Sequence, residues 1–208
     1  MLQSTQKNNS TSNFQHSTLK EGWAVWFVGL PGSGKSSISK RAYEYLRDKG
    51  LDVLHLQMDE RRKVYFPNPK YTPEERRKAY ELFALEAADL VQKGHGVILD
   101  GTAPKVEMRR LARNKIEKFA EIYISCSLQT AMERESKRPE GLVMAGLYAK
   151  ALERKKTGRE FPGLGQVIGV DIPFEEEPQA ELVVKNEGIS LREAVQEVTR
   201  FLDGWLGL

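Results

Sequence analysis

The sequence predicts an α/β domain in three layers, with helices on both faces of a central parallel sheet of about five strands. Three observations carry that reading. Five short runs are apolar at nearly every position, the mark of strands covered on both faces. Helical periodicities separate these runs, so each strand leads into a crossover helix. The first run breaks into the glycine-rich stretch "GLPGSGKS" and then turns helical, which fixes the end of the sheet where a ligand would sit.

Taken in order, strands are expected at Trp23–Val28, Val53–Leu56, Val97–Leu99, Ile122–Cys126 and Leu182–Val184. The helix after the first strand turns Ile38, Ala42, Tyr45 and Leu46 inward and stops at Gly50. The stretch "TPEE" opens the clearest helix. Thr72 caps it, Pro73 suits a first turn where an N–H would lack a partner, and Glu75 completes a capping box. Ala79, Leu82, Phe83, Ala87, Leu90 and Val91 form its apolar face, and Gly94 ends it. "APKVEMRRLARNKI" reads as a helix with Met108, Leu111, Ala112 and Ile116 inward. Ser190 and Glu193 box the last helix, which buries Val195, Val198, Phe201, Leu202 and Trp205. Residues 134–178 resist the alternation. Their charges, glycines and prolines leave few apolar anchors, and a mobile lid over the substrates is expected there. Residues 21–208 thus read as a single domain, preceded by a polar tail over 1–20 that is expected to be disordered.

Composition narrows the function. A formal charge of +3 over 208 residues, with both signs abundant, describes a mixed-charge globular surface and argues against a nucleic-acid partner. No run has the length of a membrane span, and the polar tail lacks the apolar core of a secretory signal. A cytoplasmic protein without membrane association is expected. The lone Cys126 lies in an apolar run and reads as strand packing, while His55 and His95 read as packing or surface residues.

"GLPGSGKS" satisfies G-x-x-x-x-G-K-[ST] in the context the mechanism requires, after a strand and at a helix start. Gly29, Leu30, Pro31, Gly32, Ser33, Gly34, Lys35, Ser36 and Ser37 are the candidate nucleotide site. Backbone N–H groups and the helix N-terminus surround the phosphates, Lys35 reaches the β and γ groups, and the Ser36 hydroxyl ligates Mg²⁺. This three-layer P-loop NTPase fold binds ATP or GTP. The guanine-reading run N-K-x-D does not occur, and the chain is small for a motor ATPase. Transfer to a small hydroxyl acceptor is favoured, with ATP as co-substrate and Lys35 as a catalytic residue. Asp100 ends a central strand and is expected to hold the Mg²⁺ shell. Arg134 and Lys137 are expected to cover the ATP phosphates, and Phe161 or Phe174 stacks on an adenine or packs in the core.

Further motifs resemble the adenylylsulfate (APS) kinases. "QMDERR" places Asp59 and Arg62 on the second aspartate and the arginine of D-G-D-N-x-R. "KYTPEER" places Arg76 on the arginine of G-F-S-x-x-D-R, and "APKVEMRRLAR" puts Pro104, Arg109 and Arg113 in register with S-P-Y-R-x-x-R-x-x-A-R. "AMERE" is similar to C-x-x-R-D, "GLYAKA" to K-G-L-Y-K-K-A, and "GVDIPFEEEPQAELVV" to G-V-D-x-P-Y-E-x-P-x-x-P-E-L-x-V. The resemblance covers about Trp23 to Val184. It implies phosphorylation of the APS 3′-hydroxyl to give PAPS, with Asp59 as base or hydroxyl-orienting group and Arg62, Arg76 and Arg109 on the phosphosulfate. It also implies a homodimer. Gln57, Met58 and Glu60 depart from D-G-D-N, and Ala103 and Val106 depart from S-P-Y-R. Asp100 stands in "ILDGT", as in P-loop kinases for other acceptors. Two alternatives therefore stay open: a kinase for another nucleotide or sugar, and a nucleotide-binding regulatory module without turnover.

Overall fold

The computed structural model describes residues 21–137 and 146–208. The tail over 1–20, and residues 138–145 of the expected lid, lie outside the described residues. Five parallel strands form one sheet in the order β2-β3-β1-β4-β5. They are β1 (Trp23–Val28), β2 (Val53–Gln57), β3 (Gly96–Asp100), β4 (Phe119–Ser125) and β5 (Leu182–Lys185). Seven helices are described: α1 (Lys35–Asp48), α2 (Met58–Tyr65), α3 (Pro73–Gln92), α4 (Val106–Lys115), α5 (Leu128–Ser136), α6 (Leu147–Thr157) and α7 (Leu191–Leu206).

The alternation along β1 sorts the core into two layers. Ala24, Trp26 and Val28 pack with Tyr80, Phe83 and Ala87 of α3 and Ala112 of α4. Trp23, Val25 and Phe27 face the other way, onto Ile38, Ala42 and Leu46 of α1 and Val198 and Leu202 of α7. Every β1 residue is buried, which explains its uninterrupted hydrophobicity. Trp26 adds a polar tie, because its indole N–H donates to the Gly101 carbonyl at 3.1 Å and anchors the chain just beyond β3.

Three local expectations need correction. The fourth strand begins at Phe119, three residues before the expected start. Glu121 breaks the apolar run, yet its carboxyl is buried in the strand, where Arg109 reaches it at 3.0 Å. The short α2 was not expected, since only Met58 and Arg62 of its residues are buried and a polar helix of this length shows no apolar period. At the start of α3, Thr72 accepts from the Glu75 N–H at 3.2 Å, as a cap should. The Glu75 carboxylate does not return to Thr72. It accepts from the N–H groups of Lys70 and Tyr71, at 2.6 and 3.0 Å.

The 134–178 segment also differs from its reading as poorly anchored chain. Leu147, Tyr148 and Ala151 of α6, with Leu164, Val167 and Ile168, bury themselves against Leu30 and Ala131. This third cluster stands beside the phosphate loop. Its apolar residues are split between a helix face and an irregular stretch, so no single period revealed them.

Candidate active site

The site sits at the C-terminal ends of β1, β2 and β3, where the strand order reverses around β1. Register brings the chemistry together. Asp100 pairs with Phe27 on one side and with Gln57 on the other, so the ends of all three strands open into one crevice. A cavity of about 110 Å³ fills that crevice, lined among others by Lys35, Ser36, Asp59, Arg62, Arg76 and Asp100.

The phosphate loop turns between β1 and α1. Gly34 is its last residue before the helix, with φ 95° in the left-handed region, where an L side chain is strained. A Cβ there would also lie 2.6 Å from Nδ2 of Asn186. Three distant residues brace the loop through its carbonyls. Asn186 Nδ2 and Arg134 Nη1 donate to Ser33 O at 2.7 and 3.2 Å, and the Tyr148 hydroxyl donates to Pro31 O at 2.8 Å. These braces fix the loop carbonyls of Pro31 and Ser33 beside the start of α1, where phosphate oxygens would meet the helix N-terminus. Arg134 therefore lies against the loop, while Lys137 is exposed at the end of α5.

Asp100 is only 5% exposed. Burial pushes its carboxyl above the usual range, against the opposing charge of Lys35 and a hydrogen bond from Ser36. Ser36 hydroxyl and Asp100 carboxylate are both hard oxygen donors, and their contact offers an edge suited to Mg²⁺, which binds few protein ligands and takes the rest from phosphates and water. Among the described residues no cluster of three or more His, Cys, Asp or Glu side chains could hold a metal by itself. Asp59 occupies the first turn of α2 and is exposed at the cavity wall.

Arg62 and Arg76 face the same cavity and are each 6% exposed. Arg76 donates one nitrogen to Gln166 O at 2.7 Å, and its Nη1 has no hydrogen-bond partner. Arg62 Nη1 also lacks one, with Glu75 Oε1 3.7 Å away. Both guanidinium groups border the cavity and supply positive charge that an anion there would meet.

Other expectations do not survive the geometry. Arg109 does not reach the cavity. It is 1% exposed and is engaged by Glu121, by the carbonyls of Ala103 and Glu175, and by the Phe174 ring 5.2 Å from its guanidinium. Phe174 stacks on Tyr123 with centroids 5.1 Å apart, and Phe161 packs on the third cluster under Arg159. Neither phenylalanine lines the cavity. Tyr71, Tyr80, Leu147 and Ile168 do, and sequence reasoning missed all four. A signal existed for Tyr71, since "KYTPEER" sets it on the aromatic of G-F-S-x-x-D-R. His55 is half-buried beside Tyr43, and desolvation lowers its pKa. Burial raises that of Cys126, so it packs as a neutral thiol.

The profile of the adenylylsulphate kinase family matches residues 21–185 of this chain. A probable adenylyl-sulfate kinase of Archaeoglobus fulgidus is 32% identical over 165 residues, covering 79% of this chain and 96% of its own. The cytidine diphosphoramidate kinase of Campylobacter jejuni is 30% identical over 164 residues, covering 79% and 86%. Among solved structures, the APS kinase of Mycobacterium tuberculosis in complex with AMPPNP and APS superposes with a TM-score of 0.71 at 28% identity. That match covers 88% of this chain and 98% of the other.

Proposed function

The chain belongs to the adenylylsulfate kinase family, and from that premise we propose that it transfers the γ-phosphoryl group of ATP to the 3′-hydroxyl of APS, giving PAPS in sulfate assimilation. One observation carries the reading at the level of residues. The phosphate loop and two buried arginines border the same cavity, so donor and anionic acceptor can meet there.

Roles follow from position. The loop's N–H groups and Lys35 hold the donor phosphates, and Lys35 stabilises the charge that develops as the γ-phosphoryl group departs. Ser36 and Asp100 would hold Mg²⁺, which neutralises phosphate charge when bound. Arg62 and Arg76 grip the phosphosulfate. Asp59, on the cavity wall, orients the acceptor hydroxyl and takes up its proton. Support for the ATP and APS pair comes from the Mycobacterium tuberculosis relative, whose structure was solved with AMPPNP and APS.

A second reading concerns the acceptor alone. Gln57 and Met58, which replace the family's aspartate and glycine, both line the cavity, and a relative 30% identical to this chain is a cytidine diphosphoramidate kinase. The discriminating experiment measures ADP release with Mg·ATP and APS against cytidine nucleotides and sugars. Turnover with APS and none with the panel supports the first reading; the reverse result replaces it. Lys35→Ala should slow turnover of the accepted substrate roughly a thousandfold.

A further inference from the structure

Tyr71 is the one aromatic residue among the described ones with a left-handed backbone, φ 56°, and it stands on the cavity wall. A bulky residue there is strained and persists only where neighbours over-determine it. Two neighbours do so. The Glu75 carboxylate accepts from the N–H groups of Lys70 and Tyr71, fixing the turn from below. Gly165, itself at φ 59°, packs so closely from the far segment that a Cβ would lie 2.8 Å from the Tyr71 carbonyl oxygen.

The same carboxylate stands 3.7 Å from Arg62 Nη1, at ion-pair range but beyond hydrogen-bond range. The Arg62 guanidinium lies 5.3 Å from the centroid of the Tyr71 ring. The Glu75 side chain is 11% exposed and that of Arg62 is 7%, so their attraction is poorly screened. One carboxylate thus touches the backbone that aims Tyr71 and faces the arginine that Tyr71 covers. A helix cap alone needs neither contact.

We propose that Glu75 is a positioning residue for the acceptor: it holds Tyr71 in its strained conformation over Arg62 and keeps the Arg62 guanidinium poised, without a hydrogen bond, for the acceptor's anion. An arginine already hydrogen-bonded to a carboxylate would have to break that contact before binding substrate. An arginine with no carboxylate nearby would lose its fixed direction. The inference rests on the acceptor reading above, since it takes the ligand of Arg62 to be anionic.

The test compares Glu75→Ala and Glu75→Gln with Thr72→Ala, which removes the helix cap and leaves the carboxylate. Steady-state kinetics with ATP and APS are read together with amide exchange of the free proteins. Both Glu75 variants should raise the KM for APS about tenfold or more, leaving that for ATP unchanged. Thr72→Ala should leave both constants unchanged. Exchange at Lys70 and Tyr71 should quicken in Glu75→Ala and not in Thr72→Ala. If Thr72→Ala reproduces the rise in KM, Glu75 only caps the helix and the inference is overturned. Unchanged exchange at Lys70 and Tyr71 in Glu75→Ala also overturns it, and that measurement needs no acceptor. A wild-type protein inactive on APS removes the acceptor reading and leaves the exchange comparison to decide on the positioning of Tyr71.

Discussion

Asn186 donates from Nδ2 to the carbonyl of Ser33 at 2.7 Å, joining the residue just after β5 to the centre of the phosphate loop 153 positions earlier. Asn186 is 6% exposed and its amide presses on Gly34, so the contact is buried and shaped. Asn186→Ala should leave the Ser33 carbonyl with Arg134 as its donor and cost about 0.5–1.5 kcal/mol of stability. The KM for ATP should rise while that for the acceptor stays the same, in steady-state kinetics against each substrate.

The three arginines separate by what each already touches. Arg62→Ala and Arg76→Ala should weaken acceptor binding, each lost charge-assisted contact being worth about 1.5–3 kcal/mol, with ATP affinity nearly unchanged. Calorimetric titration of each variant with each substrate checks this. A fall in ATP affinity alone would assign the arginines to the donor. Arg109→Ala should act through the fold. It strands the Glu121 carboxylate in the core, and loss of one partner of a buried pair costs about 3–5 kcal/mol. A denaturant midpoint that drops for Arg109→Ala, far more than for Arg62→Ala, is the expected result.

Glu121 gives the fold a pH dependence of known sign. Burial pushes its carboxyl up from 4.5 to about 7, with Arg109 opposing. Below about pH 4.5 the group is protonated in both folded and unfolded chains, and its contribution to stability is fully present. As pH rises through about 7 the folded state must carry a buried charge, and that contribution is lost. At about 1.4 kcal/mol per pKa unit the loss is roughly 3–4 kcal/mol. The difference in stability between wild type and Glu121→Gln should therefore change across pH 4.5 to 7 and flatten above about 8. A difference independent of pH would mean that Arg109 holds Glu121 ionised throughout.

Closure of the 134–178 segment remains a prediction, now in sharper form. Leu147, Tyr148 and Ala151 tie α6 to the phosphate loop, so α6 should be protected from hydrogen exchange even without ligand. Residues 158–163, exposed apart from the half-buried Phe161, should gain protection when ADP and acceptor bind together. Equal exchange across 158–171 in the free and filled states would mean a fixed wall.

Much of the fold was legible because its signals are local. Trp23–Val28 is apolar at every position, and a strand covered on both faces requires that. Thr72 and Ser190 announced two helices, since a cap is chemistry between neighbours along the chain. The glycines before Lys35 declared the phosphate loop for the same reason. By contrast, the helix α2 and the start of β4 were hidden, because their few inward residues include Arg62 and Glu121. A charged side chain can face inward only when a partner meets it, and that partner is set by folding.

The site divides along the same line. Sequence alone determined the nucleotide loop, the family, and Asp59, Arg62, Arg76 and Asp100 as candidates, because motif spacing is fixed by local turns. Only the tertiary structure decided which arginines face the cavity. Arg109 and Arg62 both sit on helices and both match family arginines, yet Arg109 meets Glu121 across the α4–β4 packing while Arg62 borders the cavity. The braces from Asn186 and Tyr148, and the strained turn at Tyr71, belong to the same class. Each depends on groups far apart along the chain, and no local periodicity encodes a distance in space.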